Sequence, residues 1–420
     1  MCIRDRCSMD QVKHCEGEGM SEQSATPDIA RTAMRMMDIS QRAAAVSAKM
    51  QARSVAKATG SEYSLMDAAT LSKAYSAVWL DVMSDPSKLL SAQMKLGAGV
   101  ASMWTALLGS GSDALERKDR RFADPHWTDD PISKAFRDTF LLFENTVIGL
   151  LDDLPKTDRD HLRVNFFTRQ ALSALSPANY LATNAAARSM MIETGGDSVL
   201  DGLENLLDDL ESGDGRLDLA TNDKSAFEVG VDLATTEGEV IFQNELMQLI
   251  QYHPRTEEQN KVPMLFVPAW INKFYIMDMQ PKNSLIRYTL EQGHSVFVIS
   301  WANPTKAHAD LDFADYMRLG PLTALDVIRD ITKEDSANVL GFCIGGILVT
   351  AMLGYLAATG EADRINSATT LATMVDFSDV GEIGVFIDDN RLEVLRELMA
   401  ETGYLEAYHL QDMFSMLREN

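Results

Sequence analysis

The sequence predicts an α/β protein: a core on a mainly parallel sheet, behind a helical N-terminal domain. Three observations carry that reading. Up to about residue 235 apolar residues recur at helical spacing, as in Leu71, Tyr75, Val78, Trp79 and Val82. After Asp223-Lys224-Ser225-Ala226-Phe227 short apolar runs alternate with helix-period stretches, the pattern of strands joined by crossover helices. Gly341-Phe342-Cys343-Ile344-Gly345-Gly346 then stands between one such run and a long charge-free stretch.

Composition narrows the function. The 420 residues leave room for two or three domains. A net charge of -24 argues against nucleic acid and anionic membrane surfaces, though not against an anionic ligand on a local cationic patch. Of the four cysteines, Cys2, Cys7 and Cys15 lie close to the start. Cys343 has no partner in the folded part, so a reducing, cytoplasmic setting is expected. Residues 1–19 have no signal-peptide core, and Cys7, His14 and Cys15 match no zinc spacing. They are expected to be a non-native or disordered tail, with Met20 as the true beginning.

The helical domain is expected over 20–235. Helices run from Ile29 to about Leu108 with an interruption at Pro86. Asp119 to Trp127 is a loop with an aromatic anchor. Ile132–Leu154, Asp158–Leu175 and Ala185–Leu210 read as three further helices, and Ser176-Pro177-Ala178-Asn179 as a turn. The acidic stretch at Leu210 to Asp218 fails as a calcium loop. With Gly215 as the required glycine, the first and twelfth positions are Leu210 and Thr221, and neither offers a carboxylate.

The α/β core is expected over 236–420. Glu239–Phe242 and Glu245–Tyr252 form an opening hairpin, and Val262–Val267 a buried strand. The loop Pro268–Tyr275 follows, then a helix over Ser284–Gln292 and a strand over Ser295–Trp301. A helix from about Leu322 to Ile331 precedes the strand at Ala337–Leu340, and Ala368–Met374 is the last strand candidate. Ligands of such a sheet bind at the strands' C-terminal ends, where the loop at Pro268 and the hexapeptide both open.

The hexapeptide has the pattern of a nucleophile elbow of α/β-hydrolase type, with Cys343 in the serine position of G-x-S-x-G. Gly341 and Gly345 lack side chains so that strand and helix can approach around a strained nucleophile. Cys343 then sits at a helix N-terminus, the end whose dipole favours an anion. The Ile344 N–H points where an oxyanion would form, and a second donor is expected from the loop carrying Trp270, Ile271 and Asn272. Lys273 is a candidate for neutralising an anionic substrate. Two other readings stand beside this one. Residues 337–358 carry no charge and contain a GxxxG, as a membrane span would, although Asn338 and the glycines cut the run. Cys343 is also compatible with a buried core thiol.

Longer stretches resemble a known family. They include Ser176-Pro177-Ala178-Asn179-Tyr180-Leu181-Ala182-Thr183-Asn184, Ser225-Ala226-Phe227-Glu228-Val229-Gly230 and Asn244-Glu245-Leu246-Met247-Gln248-Leu249-Ile250-Gln251-Tyr252. They continue through Trp270-Ile271-Asn272-Lys273-Phe274-Tyr275-Ile276-Met277-Asp278, the hexapeptide, and Asp376-Phe377-Ser378-Asp379. From about Asp119 onward the chain resembles the class I polyhydroxyalkanoate synthases, which polymerise (R)-3-hydroxyacyl-CoA. Val231-Asp232 and Glu237 depart from the family's usual residues, and the first hundred residues match weakly.

The resemblance implies an acyltransferase of α/β-hydrolase fold that needs no cofactor beyond the coenzyme A thioester of its substrate. Cys343 would be the acylated nucleophile, with backbone N–H groups of Ile344 and Ile271 as the oxyanion hole. Trp270, Asn272, Lys273 and Asp278 would line the substrate loop. Expected partners are 3-hydroxyacyl-CoA, the growing polyester and its granule surface, and a second copy in a homodimer, with no nucleic acid and no transmembrane segment. The setting would be cytoplasmic, at polyhydroxyalkanoate granules. In the family a histidine and an acid follow the nucleophile in the chain. After Cys343 this sequence has one histidine, His409, and His409, Asp376, Asp379, Asp388 and Asp389 precede the family's positions by alignment. The core is therefore expected to be incomplete at its C-terminus, with the start of a lid from about residue 376, no catalytic histidine or acid, and no polymerase turnover. The alternatives are a cysteine-dependent, thioesterase-like α/β-hydrolase and a non-catalytic granule or dimerisation module.

Overall fold

The computed structural model describes residues 29–58, 68–107, 119–152, 159–221, 223 and 225–417. The expected tail over 1–19 and the start at Met20 lie outside the described residues. The chain divides into two compact units. One takes the chain up to Ala220 together with Glu382–Asp388 and the residues from Asp412 on; the other takes Thr221–Gly381 and Asp389–Gln411.

The first unit is helical. Its helices are α1 (Ile29–Ala58), α2 (Ala68–Ser84), α3 (Pro86–Leu107), the short α4 (His126–Asp129), α5 (Pro131–Leu151), α6 (Arg159–Ala174), α7 (Ala185–Glu193) and α8 (Asp197–Ser212). Pro86 opens α3, where a missing N–H costs nothing, one residue after α2 ends. Pro131 opens α5 in the same way, behind Asp130, whose carboxylate accepts the Ser133 N–H. The single helix expected over Ala185–Leu210 is two. Gly195 and Gly196 take positive φ, and the Gly196 N–H closes the end of α7 on Met191 O. The loop before α5 is anchored as expected: Trp127 is buried against Phe122, Phe140 and Leu141. Phe166 and Phe167 of α6 pack with Val385 and Phe386. An open apolar groove of about 720 Å³ is lined by Pro131, Ile132, Phe136, Phe143, Leu175 and Tyr180, among others.

α1 is held differently. Among its described side chains only Val46 is buried. Arg35 pairs with Asp197 at 3.1 Å, Asp201 at 2.5 Å and Glu204 at 2.8 Å. Arg42 pairs with Asp208 at 2.6 Å and Glu211 at 2.8 Å, and Lys49 with Asp214 at 2.6 Å. The seven-residue spacing of these cations keeps them on one face of α1, with Arg35 and Arg42 opposite the acidic face of α8 and Lys49 opposite Asp214 just past its end.

The second unit is a six-stranded sheet in the order β1-β2-β4-β3-β5-β6. The strands are β1 (Gly238–Gln243), β2 (Met247–Tyr252), β3 (Met264–Val267), β4 (Val296–Trp301), β5 (Ala337–Phe342) and β6 (Ile365–Leu371). β1, β2 and β4 pair antiparallel in turn; β4, β3, β5 and β6 run parallel. The helices between are α9 (Leu285–Glu291), α10 (Phe313–Met317), α11 (Thr323–Thr332) and α12 (Ile344–Thr359). Successive side chains leave a strand on opposite faces. Thus Leu265, Phe297 and Val339 join Ile328 of α11 and Leu348, Val349 and Met352 of α12 in one cluster. Phe266, Val298 and Leu340 join Ile286 and Leu290 of α9 in the other.

The charge-free stretch over 337–358 is therefore β5, inside the sheet, followed by α12 packed against it. Among the described residues no helix is long and apolar enough to cross a membrane. The last strand sits three residues earlier than expected at each end, because Ala337 of β5 pairs with Ile365 and the chain kinks at Ala372, with φ 48°. Beyond it, in the segment expected to begin a lid, lie α13 (Asp389–Thr402) and α14 (Ala407–Met416).

Candidate active site

β5 ends at Phe342 and α12 begins at Ile344, so Cys343 alone makes the turn, at φ 53° and ψ -122°. A side chain held there costs about 1–3 kcal/mol, which the surroundings must offset. They do so through the backbone. The Cys343 N–H donates to Leu371 O at 2.9 Å, and its carbonyl accepts from Gly346 at 2.9 Å and Ile347 at 3.2 Å. The flanking glycines are sterically required. A Cβ on Gly341 would lie 2.4 Å from Gly346 Cα, and one on Gly345 2.1 Å from Val267 O and 2.7 Å from Pro268 O. Strand, helix and the end of β3 meet at backbone contact.

That contact also brings in the loop after β3. The Asn272 N–H is committed to Ala269 O at 3.1 Å. Among the described residues the N–H groups of Trp270 and Ile271 have no acceptor. As the first residue of α12, Ile344 has no intrahelical acceptor either. The amides of Ile344, Trp270 and Ile271 are thus uncommitted among the described residues, whereas that of Asn272 is not.

The Trp270 ring is packed rather than free. It stands 4.9 Å from the Tyr316 ring and 6.1 Å from those of Trp301 and Phe313. The Trp301 indole N–H donates to Pro268 O at 2.7 Å, fixing the start of the loop. Burial pushes the Tyr316 phenol above its ordinary pKa, so this aromatic wall stays neutral at physiological pH. Lys273 is exposed, and its ammonium donates to Asn303 Oδ1 at 3.2 Å. Asp278 is 2 % exposed; its carboxylate accepts from Thr236 Oγ1 at 2.6 Å and Ser284 Oγ at 2.5 Å. Its charge works inside the fold, tying the loop's far end to the residues before β1 and to the cap of α9. Burial, with the Asp278 charge second, also raises the Tyr252 phenol well above its ordinary pKa.

Cys343 is half-buried and free. Among the described residues its sulfur has no hydrogen-bond partner, so no described histidine or carboxylate stands bonded to it as a base. The arrangement places a free thiol on the turn and leaves backbone amides uncommitted. The sequence reading missed two features. The wall of Trp301, Phe313 and Tyr316 had a signal, since Trp301 ends a strand on the ligand-binding side. Thr373, whose hydroxyl lies 3.0 Å from Leu371 O and 3.4 Å from Cys343 O, had none short of the strand register.

Residues 118–289 match the family described as the poly-beta-hydroxybutyrate polymerase (PhaC) N-terminus, and residues 262–403 match the alpha/beta hydrolase fold. The chain is similar to the poly(3-hydroxyalkanoate) polymerase of Methylorubrum extorquens, 43% identical over 347 residues, covering 80% of this chain and 57% of that protein. It is similar to the poly(3-hydroxyalkanoate) polymerase subunit PhaC of Rhizobium meliloti, at 39% identity over 83% of this chain and 58% of that protein. The corresponding subunit of Cupriavidus necator is 38% identical over 80% of this chain and 57% of that protein. The chain thus spans less than three fifths of the length of these relatives.

Proposed function

The chain is a homologue of the poly(3-hydroxyalkanoate) polymerases, with an α/β-hydrolase fold, and on that premise we propose that it carries the acyl-accepting half of a polymerase site for (R)-3-hydroxyacyl-CoA. The observation that carries the proposal is Cys343, alone on a strained strand-to-helix turn whose next amide, Ile344, is uncommitted, as are those of Trp270 and Ile271 in the loop after β3. The Cys343 thiolate attacks the thioester carbonyl and the oxyanion rests on those amides. When it collapses, the bond to the coenzyme A sulfur breaks, and coenzyme A leaves as a thiolate that takes up a proton. One thioester replaces another, so the step is close to energy-neutral. The acyl group then passes to the 3-hydroxyl of another unit: a C–O bond forms, the Cys343–acyl bond breaks, and the hydroxyl proton goes to a base. No cofactor enters beyond the substrate's coenzyme A.

The product would be a water-insoluble polyester, and its granule in the cytoplasm the protein's location. Exposed Trp79, Leu80 and Met94 on α2 and α3, together with the groove beside α5, suit such a surface or a second copy in a homodimer.

Brief exposure to 3-hydroxybutyryl-CoA followed by mass spectrometry tests the proposal. The adduct is expected on the peptide carrying Cys343 and is expected to vanish in Cys343→Ala. An adduct that persists in that variant overturns the assignment.

A further inference from the structure

We propose that Thr373 is the positioning residue of this site, locking the nucleophile's turn through a shared carbonyl, and that Gly346 exists to seat it. The proposal rests on the acyl-transfer reading of Cys343 and adds a residue to it.

Two of the three glycines around Cys343 are accounted for by the approach of strand, helix and β3. Gly346 lies outside the G-x-C-x-G spacing and needs another reason. A Cβ there would lie 2.0 Å from Thr373 Oγ1 and 2.9 Å from Thr373 Cβ and Cγ2. The Thr373 side chain fills the space a side chain at 346 would occupy. It reaches that seat because Ala372 turns the chain at φ 48°, a conformation that non-glycine residues rarely adopt.

Once seated, the hydroxyl completes a small network. It donates to Leu371 O at 3.0 Å and lies 3.4 Å from Cys343 O. Leu371 O is also the acceptor of the Cys343 N–H, at 2.9 Å. One carbonyl at the end of β6 therefore takes both hydrogen bonds. It is pinned by Thr373 and in turn pins the nucleophile's own amide. The orientation of Cys343, and of the Ile344 N–H that follows it, depends on that carbonyl staying in place. Misplacing a reacting group by a fraction of an ångström costs rate without costing binding.

The test uses the whole chain with Thr373→Val, which keeps the shape and removes the hydroxyl, and Thr373→Ser, which keeps the hydroxyl. Single-turnover acylation by 3-hydroxybutyryl-CoA gives a maximal rate and a half-saturating concentration. Hydrogen exchange of the peptide spanning 341–348 reports the lock itself. In Thr373→Val the maximal rate is expected to fall about tenfold, the loss of one well-placed hydrogen bond, with half-saturation unchanged. Exchange at the turn is expected to quicken, and Thr373→Ser to restore both. Gly346→Ala, where it folds, is expected to reproduce Thr373→Val.

Equal acylation rates in all three proteins overturn the positioning role and leave the acyl-transfer reading standing. A Ser variant as slow as the Val variant also overturns it, because the methyl group then matters and not the hydroxyl. If the unsubstituted chain forms no Cys343 adduct, the acyl-transfer reading fails, and the positioning role fails with it.

Discussion

Gly345 bears the heaviest steric demand at the site. A methyl group there would meet two backbone carbonyls, Val267 O at 2.1 Å and Pro268 O at 2.7 Å, and neither can rotate away as a side chain would. Gly345→Ala is therefore expected to push α12 off β3 and to destabilise the α/β unit by about 3 kcal/mol. Thermal unfolding should register that as a midpoint lower by about 10 °C. An unchanged midpoint would mean that helix and strand can slide apart freely. The site's legibility divides along the same line. Gly341, Cys343 and Gly345 form a pattern within five consecutive residues, so the turn could be read from the chain, while the groups that the glycines make room for, Gly346, Val267 and Pro268, lie outside it. The wall around Trp270 and the Thr373 seat join residues from separate elements. Their placement depends on which strand lies beside which, and no local pattern encodes that.

At the scale of elements, the docking of α1 on α8 is electrostatic. Side-chain hydrogen bonds from Arg35 and Arg42 hold the Glu204 and Glu211 carboxyls below their ordinary pKa, and Lys49 does the same for Asp214. A carboxylate with a depressed folded pKa contributes stability that is complete above its ordinary value and lost as pH falls through the folded one. Docking of α1 is thus expected to be indifferent to pH across the neutral range. It should weaken only in acid, below the ordinary values of 4.5 for Glu and 3.8 for Asp. Salt should act at any pH, because at about 1 M the screening length falls to roughly 3 Å. Tryptic cleavage within α1, or hydrogen exchange of its amides, is expected to rise with salt while the sheet stays protected; a salt-independent α1 would count against the ladder. Except for the last, the strands expected from apolar runs begin and end within two residues of their expected bounds. The last strand slipped because Thr369 and Thr370 draw the β signal toward Met374, whereas pairing with β5 starts it at Ile365. The break between α7 and α8 was hidden because apolar periodicity continues on both sides of two glycines.

At the scale of the whole molecule, the two units are interleaved along the chain. Val385 and Phe386 belong to the helical unit although the sheet and α13 flank them in sequence. The Phe386 ring packs 5.4 Å from that of Phe166, and Arg163 donates to Val385 O across 222 residues. A fragment of residues 1–220 is thus expected to leave Phe166 and Phe167 uncovered and to unfold at lower denaturant than the same unit in the whole chain. Tyrosine and tryptophan fluorescence in a urea titration would measure the difference, and equal midpoints would show the aromatic cluster to be dispensable. The interleaving also sets an order of events on the ribosome. Most of the helical half emerges first, yet its aromatic cluster cannot close until the six described strands and the Cys343 turn have been translated. The newborn helices wait with apolar rings exposed, and a chaperone that shields aromatic surface would find its longest opportunity there.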